Sequence, residues 1–324
     1  MLCEKLKMKK DIFAYRMPHY GSISVCVLVK NGAKTLARAL ASIQDIATEI
    51  VVVDTCSTDD SVAVAQSFGA KVYYFEWCDS FAVARNYMDD QATCNWIFSL
   101  DADEVVAKRD LWRIKELTLQ SQFANFLFPT RNYTRNPAMQ GAQTNHGDYV
   151  EGRGWTGFTI SLKTRLYKNH IGLRWRGCWH ELIDYEVARR RLLSREVDMP
   201  IHHYSDEICQ SSAKEKQMFY LRLGEKKVME EPHNPAAWWE LAVAEHIVGY
   251  WYRSSQHAIT AIEMGMTRPN DWFLMWHAYK NLGLMEKARL VYEKILCGLF
   301  PALTHKDPNL HTWEAVKVDS QPYF

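Results

Sequence analysis

Between residues 22 and 104 the chain alternates short, β-rich apolar runs with amphipathic stretches of helical period. Ile23–Val29 is the first apolar run and Glu49–Asp54 (EIVVVD) the second; residues 71–76 and 96–100 are the third and fourth. Between the first two, residues 35–43 place Leu36, Ala39, Leu40 and Ile43 on one face of a helix. Residues 59–68 space Val62, Ala65 and Gln66 along a second helix, closed by Gly69 as a C-terminal stop. Phe81–Gln91 reads as a third. A βαβαβαβ order predicts a parallel sheet with helices on both faces. Ligands bind such sheets beyond the carboxyl ends of the strands. The residues expected there are Asn31, Asp54, Thr55, Trp77 to Asp79 and Asp101 to Glu104, a polar and acidic set.

The pattern then changes twice. Residues 131–157 are polar and glycine-bearing, which predicts a long mobile loop, a lid or binding loop where it has a function. Residues 159–167 and 172–179 alternate enough to be short strands. From about residue 211 onward the periodicity is wholly helical, and a repeat of 34 residues relates Trp238 to Trp272. Its second copy has Trp272, Met275, Trp276, Tyr279, Gly283, Ala288 and Tyr292 at tetratricopeptide offsets; the first keeps Trp238, Leu241, Ala242 and Gly249 but sets Ala258 four residues late. Two copies are too few for a free solenoid, which takes about three or more. The expected organisation is an N-terminal extension (1–21), an α/β domain (22–208) and a helical, tetratricopeptide-like domain (209–324) packed on it.

Composition narrows the partners. The 324 residues are 48% hydrophobic and 24% charged, enough apolar material for a buried core. Lys+Arg 39 against Asp+Glu 38 leaves a net charge of +1, so no bulk field draws the protein to nucleic acid. None of the eight cysteines forms a C-x-x-C pair, and several sit within apolar runs, which implies reduced thiols and a cytoplasmic setting. The basic N-terminus lacks the apolar core of a signal peptide, and no stretch approaches the ~18 apolar residues of a membrane span. The chain is therefore expected in the cytoplasm, free or peripheral to a membrane.

The sharpest candidate chemistry is Asp101-Ala102-Asp103-Glu104, where the fourth apolar run stops in alternate carboxylates. On an extended chain residues two apart face the same side, so Asp101 and Asp103 can converge on one cation. Hard oxygen ligands of this kind suit Mg²⁺ or Mn²⁺, which commonly neutralise a diphosphate. A strand-end turn with solvated acids is the alternative. No G-x-G-x-x-G or G-x-x-x-x-G-K-[ST] follows the first strand, which argues against a dinucleotide enzyme and a P-loop NTPase.

Four ordered segments together resemble family-2 glycosyltransferases of the GT-A fold: Val29-Lys30-Asn31, Val53-Asp54-Thr55-Cys56-Ser57-Thr58-Asp59, FAVARN from Phe81 to Asn86, and LDADE from Leu100 to Glu104. The resemblance covers residues 22–205, and members with a tetratricopeptide-like C-terminal region fit the whole chain. It implies an inverting transfer from a nucleotide-diphosphate sugar, usually a UDP-hexose, with Mn²⁺ or Mg²⁺ as cofactor. Asn31 would line the nucleotide-sugar crevice, Asp54 would meet the base and ribose, and Arg85 and Asn86 would open toward the same crevice, with Arg85 on phosphate oxygens. Asp101 and Ala102 would lie against the ribose, Asp101 also reaching the metal or its waters. Asp103 would coordinate the metal directly, and His203, chosen over its neighbour His202, would complete the metal shell. Glu181 would be the general base on the acceptor, with His180 positioning acceptor or diphosphate; an ion pair of structural purpose is the alternative for these two. The family usually has glycine where Cys56 stands.

The resemblance implies a carbohydrate, glycolipid or peptide as acceptor, and the helical region would offer a surface for a homodimer. Two rivals remain: a non-catalytic scaffold or peptide-binding protein on a degenerate transferase fold, and a sugar nucleotidyltransferase. The intact acidic pair argues against the first. The lack of a glycine-rich phosphate loop after strand one argues against the second. Trp155, Trp175 and Trp179 are expected in cores, and Arg189, Arg190 and Arg191 on a solvated turn.

Overall fold

The computed structural model describes residues 20–136, 138–139, 141–204, 213–266 and 269–299. The expected boundary between residues 208 and 209 lies outside them, as does nearly all of the expected N-terminal extension. Strands β1 (Ile23–Val29), β2 (Glu49–Asp54), β3 (Lys71–Tyr74) and β4 (Trp96–Asp101) alternate with helices α1 (Ala33–Ile43), α2 (Ser61–Ser67) and α3 (Phe81–Gln91), as the apolar pattern predicts. A second set of strands follows: β5 (Glu104–Val106), β6 (Phe123–Thr134), β7 (Gln143–Thr144), β8 (Gly157–Lys168), β9 (Leu193–Glu196) and β10 (Ile201–His203). Helices α4 (Leu111–Leu117) and α5 (Asp184–Arg189) lie among them.

All ten strands form one sheet, whose main path runs β3-β2-β1-β4-β8-β6-β10-β5. The pairs β3/β2, β2/β1 and β1/β4 are parallel. Beyond β4 the sheet turns mixed, because β8 runs antiparallel to both β4 and β6. The chain leaves β1 toward β2 and β3, then returns to pair β4 on the other side of β1. That reversal opens a crevice at the carboxyl ends of β1 and β4. Register brings the acids to one level there: Val29 pairs with Asp54 and Leu28 with Asp101.

Alternation along the strands explains the layers. Val25, Val27 and Val29 join Leu36, Leu40 and Ile43 of α1 in one core, while Cys26, Val51, Val53 and Ile97 pack with Met88 of α3 in the other. Burying each large aliphatic side chain stabilises the sandwich by about 1.5–3 kcal/mol. Ser80 caps α3, accepting from the Val83 amide at 3.3 Å.

Two expectations for the middle of the chain change. Residues 131–157 are not one continuous loop: Arg131 to Thr134 extend β6, β7 pairs with β8, and Asn145 donates to the Gly152 and Trp155 carbonyls at 2.7 and 3.0 Å. A single side-chain amide thus closes a turn that composition alone reads as coil. Residues 172–179 form no strand. Gly172 and Gly177 have φ of +74° and +90°, and the Trp175 backbone is taken up by Asn86, so the stretch contributes one bridge, Arg176 to Leu182.

The C-terminal helices are α6 (Ala213–Glu230), α7 (Pro235–Ile247), α8 (Trp251–Glu263), α9 (Pro269–Asn281) and α10 (Met285–Leu299). Asn234 caps α7, accepting from the Ala236 amide at 3.0 Å, with Pro235 at the first turn. The small residues Ala242, Ala258 and Ala288 pack with Met275, Tyr279, Val291 and Ile295 in a core of their own. Among the described residues, no helix is long and apolar enough to cross a membrane.

Candidate functional site

The loops at the carboxyl ends of β1, β2 and β4 are tied to one another by short polar side chains. Asn31 leaves β1 with φ +51°, its amide donating to Ser57 Oγ at 2.8 Å while its Oδ1 accepts from the Thr58 amide at 2.7 Å. The Asn31 side chain therefore braces the loop after β2. Gly32 follows because a Cβ there would lie 2.8 Å from Val29 Cγ2, with Ala102 Cβ 3.5 Å away. Asp54 is 2% exposed; its Oδ2 accepts from the Ser57 amide at 3.0 Å, and its Oδ1 is buried and meets no donor among the described residues. A buried acceptor without a donor is costly, so this oxygen is suited to an incoming N–H or O–H.

The expected convergence of Asp101 and Asp103 does not occur by strand alternation. β4 ends at Asp101, and Ala102 and Asp103 form the turn into β5, so the extended geometry that would align them is absent. The two acids take different partners. Asp101 Oδ1 accepts from Arg85 Nη2 at 2.8 Å, and its Oδ2 faces Arg165 Nη2 at 3.3 Å. Asp103 Oδ2 lies 3.0 Å from His203 Nε2.

Arg85 is the hub. Its Nε donates to Glu181 Oε1 at 2.6 Å and its Nη1 to Ser99 Oγ at 2.9 Å, and the guanidinium lies over the Trp175 ring at 5.1 Å. At 7% exposure it is enclosed by carboxylates and aromatic surface rather than open to the crevice. Asn86, likewise expected to face the crevice, pairs both ends of its amide with the Trp175 backbone at 2.9 and 3.0 Å. One helix turn thus holds the loop that carries Glu181.

The ion pairs continue as a chain: Glu181, Arg85, Asp101, Arg165, Glu104. Burial by itself would raise Asp101, but the Arg165 and Arg85 guanidiniums more than reverse this and hold it well below the usual carboxylate range. Glu104, fully buried, is raised by burial in spite of its contact with Arg165. Lys163 Nζ stands 3.8 Å from both Asp101 Oδ2 and Glu104 Oε1, and its side chain is 41% exposed. Lys163, Arg165 and Ser99 were not among the residues expected from the sequence. A signal exists for the first two: basic residues two apart in the apolar strand β8 share one face.

His202 and His203 face opposite sides of β10. His202 is fully buried, its Nδ1 2.7 Å from Tyr133 Oη, and burial pushes it down to about 3. His203 Nδ1 lies 2.7 Å from Asn132 Oδ1, whose own Nδ2 contacts Ser161 Oγ and the Thr130 and Thr159 carbonyls. That network assigns a proton to Nδ1, so the hydrogen bond from Nε2 to Asp103 requires the second proton of an imidazolium, and a cation shared with Asp103 would take that proton's place on Nε2. Burial pulls His203 down, but the hydrogen bond and charge of Asp103 prevail and raise it. Among the described residues no three His, Cys, Asp or Glu side chains are grouped as a metal cage; Asp103 and His203 are the pair that could share a cation with outside ligands.

The remaining candidates sit on a five-residue loop closed by the Arg176–Leu182 bridge, whose two N–H···O bonds are both 3.0 Å. His180, at its tip, is exposed with φ +49°, its ring 4.4 Å from that of Trp179. Glu181 is turned inward onto Arg85. Trp155 and Trp175 are core residues at 8% exposure each, whereas Trp179 is half-buried and stacks on Tyr220 of α6 at 5.4 Å. Arg189 pairs with Glu186 at the exposed end of α5. Among the described residues, four of the six non-glycine residues with positive φ, Asn31, Cys56, Asp79 and His180, fall in the loops around this crevice, where backbone strain commonly collects.

Residues 24–180 match the family described as Glycosyl transferase family 2. A TPR repeat-containing protein of Synechococcus elongatus is 32% identical over 162 residues, 50% of this chain and 35% of that protein. Glycosyltransferase SunS of the Bacillus subtilis SPbeta prophage is 24% identical over 233 residues, 71% of this chain and 50% of that one. The matched segments span between about a third and a half of the length of these relatives. Among solved structures, residues 1–349 of S. aureus TarS in complex with UDP-GlcNAc align with a TM-score of 0.50 at 15% identity, covering 84% of this chain and 90% of that one. This likeness is one of fold.

Proposed function

We propose that this chain, whose residues 24–180 match Glycosyl transferase family 2, transfers a sugar from a UDP-sugar to an acceptor nucleophile with inversion at the anomeric carbon. The observation that carries the reading is the ion chain from Glu181 through Arg85 to Asp101. It joins a carboxylate 80 residues downstream to the acidic turn at the sheet's switch point, the juxtaposition an inverting displacement needs.

Asp54 Oδ1 would accept an N–H of the base, and Asp101, held ionised by two guanidiniums, would face the ribose side. Lys163, half-exposed beside Asp101, supplies positive charge for the diphosphate. Asp103 and His203 would hold a divalent cation, and an imidazole in the set favours Mn²⁺ over Mg²⁺. When bound, that cation supplies Lewis-acid stabilisation of the departing diphosphate. The acceptor's oxygen, or equivalent nucleophilic atom, attacks the anomeric carbon as the bond to the β-phosphate oxygen breaks. Glu181 takes the acceptor's proton, and Arg85 keeps that carboxylate oriented. The TarS fragment was solved with UDP-GlcNAc, which makes that donor the first to try.

The test is release of UDP from UDP-GlcNAc and UDP-glucose in the presence of Mn²⁺, comparing the wild type with Glu181→Gln. A loss of about 10²-fold or more in the variant is expected, the scale of general-base catalysis. Equal release by both proteins would remove Glu181 from the reaction.

A further inference from the structure

Two adjacent lysines of α6, Lys226 and Lys227, reach out of the helical region into the two loops that rim the crevice. Lys226 Nζ donates to the Cys78 and Asp79 carbonyls at 2.9 and 3.0 Å. Lys227 Nζ donates to the Trp179 carbonyl at 2.9 Å and to Glu240 Oε2 of α7 at 2.7 Å. Each loop is bent into the left-handed region within two residues of these carbonyls: Asp79 has φ +54°, Gly177 +90° and His180 +49°. A left-handed non-glycine residue costs about 1–2 kcal/mol, so such bends persist where their surroundings enforce them.

The surroundings here are α3 on one side and α6 on the other. The Phe81 amide donates to the Cys178 carbonyl at 2.9 Å, and Cys178 Sγ lies 3.4 Å from the Leu223 carbonyl. Residue 224 of α6 is a glycine at this contact: a Cβ there would stand 3.4 Å from Trp179 Cζ3, an ordinary contact, and 3.3 Å from Leu241 Cδ1, a slightly tight one. Lys227 is 5% exposed, and its ammonium sits where α6, α7 and the loop meet. The carbonyl it holds is two residues from Glu181.

We propose that Lys227, assisted by Lys226, is a positioning residue for the transfer: it fixes the loop that presents Glu181, so the helical region is a working part of the catalytic site. This rests on the base assignment made above. The inference requires a loop that is ordered by α6, and a carboxylate misplaced by about 1 Å can lose 10²-fold in rate.

Hydrogen exchange and kinetics on the full chain test it together. Lys227→Met should accelerate exchange in residues 177–182 at least tenfold while leaving 96–101 unchanged. It should also lower kcat for UDP release by ten- to a hundredfold, with donor KM within twofold of wild type. Arg253→Met serves as the control: it removes ion pairs with Glu225 and with the buried Glu245, both at 2.7 Å and both within the helical region, and should leave both readouts unaltered. Unchanged exchange at 177–182, or faster exchange with wild-type kcat, overturns the proposal. So does an equal response to Arg253→Met. If the wild type releases no UDP from any donor, the transferase reading fails, and the exchange measurement still decides whether α6 orders the loop. Should Lys227→Met fail to fold, Lys226→Met is read the same way over residues 77–80.

Discussion

Cys56 shows how a single residue can record a backbone requirement. It occupies φ +66° in the loop after β2, a conformation in which any Cβ is strained, and its side chain is exposed. The family resemblance marks the position, because glycine usually stands there in such chains; the left-handed backbone is a physical reason for it. Cys56→Gly should therefore stabilise the protein by about 0.5–1 kcal/mol, the strain relieved less the entropy that glycine adds to the unfolded chain. Urea denaturation of both proteins checks this, and a loss of stability would show that the thiol makes a contribution its exposure does not suggest. Arg85 illustrates the opposite case. Its residue type is legible as a phosphate ligand, but its three carboxylate and hydroxyl partners come from α3's distant neighbours Ser99, Asp101 and Glu181. A side chain's partners across 96 positions of sequence leave no mark in a local pattern.

At the scale of elements, the parallel half of the sheet was readable because β1, β2 and β4 are apolar and buried over most of their length and α1 is amphipathic. The mixed half was not. β6 and β8 are long strands whose polar residues, among them Asn125, Thr164 and Arg165, are buried because they bond to one another or to acids from other elements. That satisfaction is a tertiary fact. Glu49 shows a similar linkage at the opposite end of the sheet from the crevice. Its carboxylate meets Lys71 Nζ at 2.7 Å, Ser24 Oγ at 2.5 Å and the Thr93 amide at 2.6 Å, joining β2 to β1, β3 and the loop before β4. Burial opposes ionisation there, but these hydrogen bonds outweigh it and bring Glu49 down to about 2. The folded state thus binds a proton less readily than the unfolded chain. The stabilisation is present in full above the unfolded value near 4.5 and is lost as pH falls from there toward 2. Glu49→Gln should lower stability at pH 7 and flatten its pH dependence across that window; parallel slopes for both proteins in pH-dependent thermal melts would contradict it.

At the scale of the whole molecule, the helical region does more than follow the α/β region in sequence. Its helical character was legible from the periodicity around Trp238 and Trp272, and its contact with the first region is made through α6, a helix that precedes both tryptophans. The contacts that matter, Lys226, Lys227, Tyr220 and Gly224 against the loops at 77–81 and 177–181, involve residue types with no motif. Sequence periodicity reports what a helix does to its own core, and these residues face outward from it. Both regions meet around one crevice, and the central claim is that it binds a nucleoside diphosphate through Asp54 and a cation held at Asp103 and His203. The most direct measurement is calorimetric titration of UDP into the folded full chain, with and without Mn²⁺, beside the same titrations on Asp103→Ala. The account predicts saturable UDP binding to the wild type that tightens with Mn²⁺, and an Asp103→Ala protein that is folded but no longer responds to the metal. Absence of UDP binding by the folded wild type in the presence of Mn²⁺ would contradict it.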